Sequence, residues 1–159
     1  MKHLLLVLAM VVSISQVEAA PIKPDVACMA LNIYHEARNQ GPEGMFAVGL
    51  VTMNRVKSEK FPDSVCSVVT QGIYVDGKPA LNRCQFSWYC DGEKDIIWVQ
   101  YMNGTPIEGN ATGWRDSVNV ALMVMHNEIK DNTGGALYYY AQNIIYPYWA
   151  KEYKTIKVI

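Results

Sequence analysis

Val26-Ala27-Cys28-Met29-Ala30-Leu31-Asn32-Ile33-Tyr34-His35-Glu36-Ala37-Arg38-Asn39-Gln40, closed by Gly41-Pro42, is the stretch from which the rest of the chain is read. It is a markedly apolar helical run with a glutamate near its end. At helical spacing Glu36 shares a stripe with Met29, Asn32 and Ile33, so its carboxylate projects from an apolar face. A carboxyl group in such a setting resists ionising, which is the property a general acid needs near neutral pH. The competing reading is plain structure, with Glu36 paired to Arg38 or to another basic group at a helix end.

Working outward, Pro24-Asp25 opens this helix with Asp25 as its N-cap, and Gly41-Pro42 stops it after Gln40. Pro42 and Glu43 open a second helix to about Ser58, apolar almost all round. Two helices so closely linked pack as core neighbours. Phe61-Pro62 breaks the pattern, and Asp63 or Ser64 caps a short third helix through Val69. Ile73-Tyr74-Val75 then enters a tight hairpin turn at Asp76-Gly77. Gln85-Phe86-Ser87-Trp88-Tyr89 reads as extended, a helix is expected over 93–102, and a stronger one over Trp114–Lys130. Gly134-Gly135 ends that region, and a tyrosine-rich tail follows. The expected fold class is α+β and mainly helical, one domain over residues 20–159 with a small β element after the third helix.

The N-terminus reads as a secretory signal over residues 1–19: Lys2 is basic, Leu4 to Ile14 are apolar but short for a bilayer, and Val17-Glu18-Ala19 fits a peptidase site. A retained membrane anchor is the alternative. No other segment is apolar enough to cross a membrane, so no stable insertion is expected after cleavage. Lys and Arg number 14 against 15 Asp and Glu, interspersed, for a net charge of −1, which argues against a nucleic-acid partner. All four cysteines (Cys28, Cys66, Cys84, Cys90) lie beyond the signal, and an even number in an exported chain predicts two disulfides. Three pairings are open, and the Cys84/Cys90 spacing permits a local bridge.

Several chemistries are excluded. His35-Glu36 invites comparison with H-E-x-x-H, but the fifth position is Asn39 and the only other histidine beyond the signal is His126, so zinc lacks ligands and no metal or cofactor is expected. There is no G-x-S-x-G elbow, and oxidised cysteines are not nucleophiles. Asn54-Arg55 is a second anomaly: Asn54 follows Ala47, Leu50 and Val51 on an apolar stripe, where an amide needs partners. The pair either satisfies backbone and loop groups or lines the cleft beside Glu36. Gln85-Phe86-Ser87 is the third, since on an extended strand Gln85 and Ser87 face one side and Phe86 the other. That suits the edge of a sugar groove, and equally any half-buried strand.

Together these segments resemble a known family. Cys28-to-Arg38 (CMALNIYHEAR), Ala47-to-Arg55 (AVGLVTMNR), Phe61-to-Val69 (FPDSVCSVV) and Cys84-to-Gly92 (CQFSWYCDG) are similar, in order, to the SleB-type cell wall hydrolases, which include the catalytic domain of spore cortex-lytic enzymes. The resemblance implies a lysozyme-like fold and peptidoglycan glycan strands as the partner, in the periplasm or outside the cell, for a protein expected to be monomeric. It implies Glu36 as the catalytic residue, with Asn54, Arg55, Gln85, Phe86 and Ser87 lining a substrate cleft. Two departures stand out. Asn39-Gln40 replace a usual Gly-Glu, and the chain stops at Lys157-Val158-Ile159, where members tend to continue into a glycine- and histidine-containing segment and an aromatic strand.

The implied reaction is cleavage between N-acetylmuramic acid and N-acetylglucosamine. An ordinary glycosidase needs a second carboxylate, and the apolar helices supply none at an obvious position. One suffices if the substrate's acetamido group assists and Glu36 then deprotonates the muramic hydroxyl, giving an anhydro product. Partly on the family resemblance, a lytic transglycosylase is therefore favoured over muramidase-type hydrolysis. The alternative from another class is a secreted peptidoglycan-binding module without turnover.

Overall fold

The computed structural model describes residues 22–93, 101–102, 105–106, 110–141, 148–153 and 155–158. The expected leader over residues 1–19 lies outside them, as does most of the helix expected over 93–102. Among the described residues, α1 (Pro24–Ala37) is the central element, packing against α2 (Gly41–Val56), α3 (Val65–Val69) and α4 (Asn110–Met125). Its fully buried stripe of Met29, Ala30 and Ile33 explains why: one apolar face meets three partners. Val48 and Val51 of α2, Val68 and Val69 of α3, and Ala121 and Val124 of α4 complete the core. At Gly49 a Cβ would come 3.2 Å from Val124 Cγ2, so α2 and α4 approach as closely as this residue allows.

The architecture is α+β and mainly helical, as expected. The hairpin is present as β1 (Gly72–Val75) and β2 (Lys78–Cys84), antiparallel. Its turn uses Asp76 at φ 50° and Gly77 at φ 75°, the left-handed pair that a tight hairpin requires. The tyrosine tail contributes β5 (Tyr138–Ala141), which pairs in parallel with β6 (Thr155–Val158) and sets Tyr139 opposite Ile156. Between these pairs lie β3 (Tyr101–Met102) and β4 (Thr105–Pro106), a short antiparallel pair.

Several expectations are corrected in detail. Asp25 does not cap its own helix: Lys23 holds the N-cap position and Pro24 occupies the first turn. The Asp25 carboxylate instead accepts the Cys66 N–H at 3.2 Å, so it caps α3 together with Ser64, whose hydroxyl accepts from the Ser67 N–H. Tyr101–Met102, expected at a helix end, are a strand. Ser87–Cys90 is not extended but winds into a single 3-10 turn across the Cys84–Cys90 bridge. Finally, α4 begins before Trp114 and ends at Met125, short of Lys130. Asn127 there takes φ 57°, with Asn127 N–H donating to Val124 O and Glu128 N–H to Met123 O, the paired bonds of a left-handed helix stop.

The cysteines pair as Cys28–Cys66 and Cys84–Cys90. The first ties α1 to α3. The second closes the loop that carries Gln85-Phe86-Ser87.

Candidate active site

Glu36 lies in the last turn of α1, and the polar members of its stripe position the loop beside it. Asn32 is wholly buried: its amide Nδ2 donates to Thr52 Oγ1 at 3.1 Å, and its Oδ1 accepts from Trp88 Nε1 at 3.0 Å. Thr52 in turn donates to Val48 O, so every member of this buried chain is used. Trp88 also stacks on His35, with centroids 4.6 Å apart and planes at 14°. These contacts pin the Cys84–Cys90 loop to α1 and place Gln85 and Ser87 alongside Glu36.

Glu36, Arg55, Gln85, Phe86, Ser87 and Tyr139 line one cavity of about 280 Å³, with Cys84 and Tyr138 completing its wall. That is close to the low end of small-molecule sites, roughly 300–1,000 Å³. Within the loop the expected alternation survives: Gln85 and Ser87 are exposed, whereas Phe86 is 2% exposed and serves as backing. At Gly72 a Cβ would meet Cys84 Sγ at 2.8 Å and Arg83 O at 3.0 Å, so a bare backbone is needed where β1 crosses the bridge.

Arg55 is 4% exposed, deep for a cation. Its Nε donates to Leu137 O at 2.8 Å, and its guanidinium sits among the rings of Phe61, Phe86 and Tyr138 at 5.1, 4.9 and 5.4 Å. Burial pulls its pKa below the ordinary arginine value, and the neighbouring Tyr139, Tyr138 and Glu36 oppose that pull. Asn54, its sequence neighbour, goes elsewhere. Its Nδ2 donates to Thr133 Oγ1, Ala136 O and Asp131 Oδ2 at 3.0–3.2 Å, clamping the 131–137 loop that leads into β5. The structure thus brings five of the six expected residues to the cavity and directs the Asn54 amide to the loop behind it.

At the centre, the Tyr139 hydroxyl donates to Glu36 Oε2 at 2.8 Å. Burial raises the Glu36 pKa above the ordinary carboxylate value, and the Tyr139 hydrogen bond and the Arg55 charge only partly offset it. Arg38, the ion-pair partner offered by the competing reading, turns instead to Tyr34: its Nη1 donates to Tyr34 O and its guanidinium lies 4.9 Å from that ring. Glu36 is therefore a carboxyl held toward its neutral form at a cavity wall. Among the described residues no group of three or more His, Cys, Asp or Glu could hold a metal ion. Nor is any helix there long and apolar enough to cross a membrane.

Sequence reading missed Tyr139. Its only signal was the Tyr138-Tyr139-Tyr140 run, which resembles any aromatic core strand. The partner lies 103 residues from Glu36, a separation no local pattern reports.

The chain is 29% identical over 135 residues to a spore cortex-lytic enzyme of Oceanobacillus iheyensis, an alignment covering 85% of this chain and 39% of that protein. The chain thus spans well under half of that relative's length. No solved structure matches. A family model described as cell wall hydrolase matches residues 39–159, a span that begins just past Glu36. With most of its length matched, the chain belongs to the cell wall hydrolase family.

Proposed function

We propose that this protein cleaves peptidoglycan glycan strands between N-acetylmuramic acid and N-acetylglucosamine, with Glu36 as the single catalytic carboxyl. The observation that carries the reading is the company Glu36 keeps. Its pKa is raised by burial, and among the described residues lining the cavity it is the sole carboxylate. Glu36 donates its proton to the glycosidic oxygen as the bond to the muramic anomeric carbon breaks, a contribution of roughly 10²–10⁴-fold. With no second carboxylate among the described lining residues to act as nucleophile or to activate water, the substrate's acetamido oxygen supports the electron-poor carbon. Glu36 then takes the proton of the muramic 6-hydroxyl as that oxygen closes on the same carbon. The product is an anhydro sugar, and the enzyme a lytic transglycosylase.

The exposed side chains of Gln85 and Ser87 offer hydrogen bonds to sugar hydroxyl and acetamido groups, while Phe86 acts from beneath by fixing Arg55. Two disulfides fit a protein that works outside the reducing cytoplasm, consistent with a substrate in the cell wall.

Digestion of purified sacculi, with the soluble fragments weighed by mass spectrometry, tests both levels of the proposal. Anhydro-muramic ends are expected, and reducing muramic ends in their place would mean hydrolysis. Glu36→Gln is expected to release no fragments while keeping the parent's circular dichroism spectrum. Release at the parental rate by that variant would overturn the assignment of Glu36.

A further inference from the structure

Granted the role proposed for Glu36, one carboxyl must give up a proton and then take one back at nearly the same place. A carboxyl has two oxygens, and a wrongly placed proton is no use to the leaving group. The Tyr139 hydroxyl occupies Oε2 as a donor at 2.8 Å, leaving Oε1 as the oxygen for the mobile proton. We propose that Tyr139 is a positioning residue that confines the transferred proton to Glu36 Oε1 and stabilises the carboxylate formed by the first transfer.

The surroundings of Glu36 support this division of labour. From α2 it faces Arg55, a fixed charge whose Nε is taken by Leu137 O and whose guanidinium is held among three rings. From β5 it faces Tyr139, with Tyr138 on the same cavity wall, and from the Cys84–Cys90 loop the neutral Gln85 and Ser87. On its own helix the adjacent His35 is stacked against Trp88. Arg55 thus lowers the energy of the carboxylate without choosing between its oxygens, whereas a hydrogen bond chooses. Burial, then the nearby Glu36 charge, holds the Tyr139 phenol well above its usual pKa, so it stays a donor throughout the working range. Strand pairing fixes the ring's origin, since β5 is locked in parallel register to β6 at Tyr139 and Ile156.

In the first step the Oε1–H bond breaks, its proton goes to the glycosidic oxygen, and the electrons of the breaking C–O bond stay with that oxygen. In the second, the muramic 6-hydroxyl oxygen bonds to the anomeric carbon and its proton returns to Oε1. Nothing is oxidised or reduced.

The test is the pH profile of fragment release from purified sacculi. Tyr139→Phe removes the donor to the carboxylate, so the alkaline limb, where Glu36 loses its proton, is expected to move up by about one pH unit or more. The maximal rate should fall about tenfold or more, with the half-saturating sacculus concentration unchanged. Site-specific 3-fluorotyrosine at the same position keeps the packing and donates more strongly, and should move the limb down. Should Tyr139→Phe fail to fold, the fluorotyrosine arm decides. An unmoved limb in the folded variants overturns the positioning role and leaves Glu36 standing. Retained activity in Glu36→Gln removes the acid itself.

Discussion

Asn32 makes two side-chain hydrogen bonds in a site with no water access, and both partners matter to the cavity. Replacing it by alanine strands the Trp88 N–H, a loss of roughly 1–3 kcal/mol for an unsatisfied buried donor. Asn32→Ala is expected to lower the urea midpoint accordingly, and to reduce sacculus digestion beyond what the lost stability explains, because the loop bearing Gln85 and Ser87 loses an anchor. At this scale the sequence was legible wherever helical spacing sufficed. Glu36 stood out as an acid on an apolar stripe, a pattern that structure alone can also produce, and its expected role as the acid came from the resemblance of the four blocks taken in order. Asn54 was equally visible as an anomaly, yet its acceptors lie 77 to 82 residues away, and helical spacing reports a buried amide without saying what it holds.

At the scale of elements, the two disulfides should act differently. By the chain-entropy account, closing the 38-residue separation of Cys28 and Cys66 is worth about 4 kcal/mol, and closing the six-residue separation of Cys84 and Cys90 nearer ~2. Paired serine substitutions at Cys28 and Cys66 should therefore cost more in thermal stability, read by calorimetry. The same change at Cys84 and Cys90 should cost more in activity, because that loop is a wall of the cavity. The helices and hairpin were readable because their signals are local: Pro24 and Pro42, the Ser64 cap, the Asp76-Gly77 turn. The 3-10 turn over Ser87–Cys90 was not, since a short covalent loop overrides strand propensity. The early stop of α4 is a matter of Asn127 entering the left-handed region, which asparagine permits but does not demand.

For the whole molecule, the site and the scaffold pull stability in opposite directions with pH. Glu36 has a raised folded-state pKa, so its contribution is full below the unfolded carboxylate value and is lost as pH rises through the folded one. Asp131 is the reverse. Burial would raise its pKa, but hydrogen bonds from Thr133, Asn54 and Gly135 together bring it below normal, so its contribution holds above the unfolded value and is lost as pH falls through the folded one. Glu36→Gln should accordingly be more stable than the parent at neutral pH and show no such gain below the ordinary carboxylate range, a comparison that melting curves across pH would check. The helical α+β class was legible from periodicity, while the closing of the cavity by β5 was not, because a parallel pair with β6 depends on chain far from α1. The cavity's two sides are also built from different materials. One, the Asn54–Asp131–Thr133 clamp with β5, is held by hydrogen bonds and ring contacts with no covalent bridge, and the other is closed by Cys84–Cys90. The consequence is one of timing: before oxidation the wall bearing Gln85 and Ser87 rests only on the hairpin and on the contacts of Trp88 with Asn32 and His35. Protein that keeps Cys28–Cys66 but lacks the second bridge should then retain its helical spectrum while digesting sacculi more slowly, and gain lytic power as that bridge forms. With the proposed activity, a protein assembled in this order would be at its weakest while it is being made.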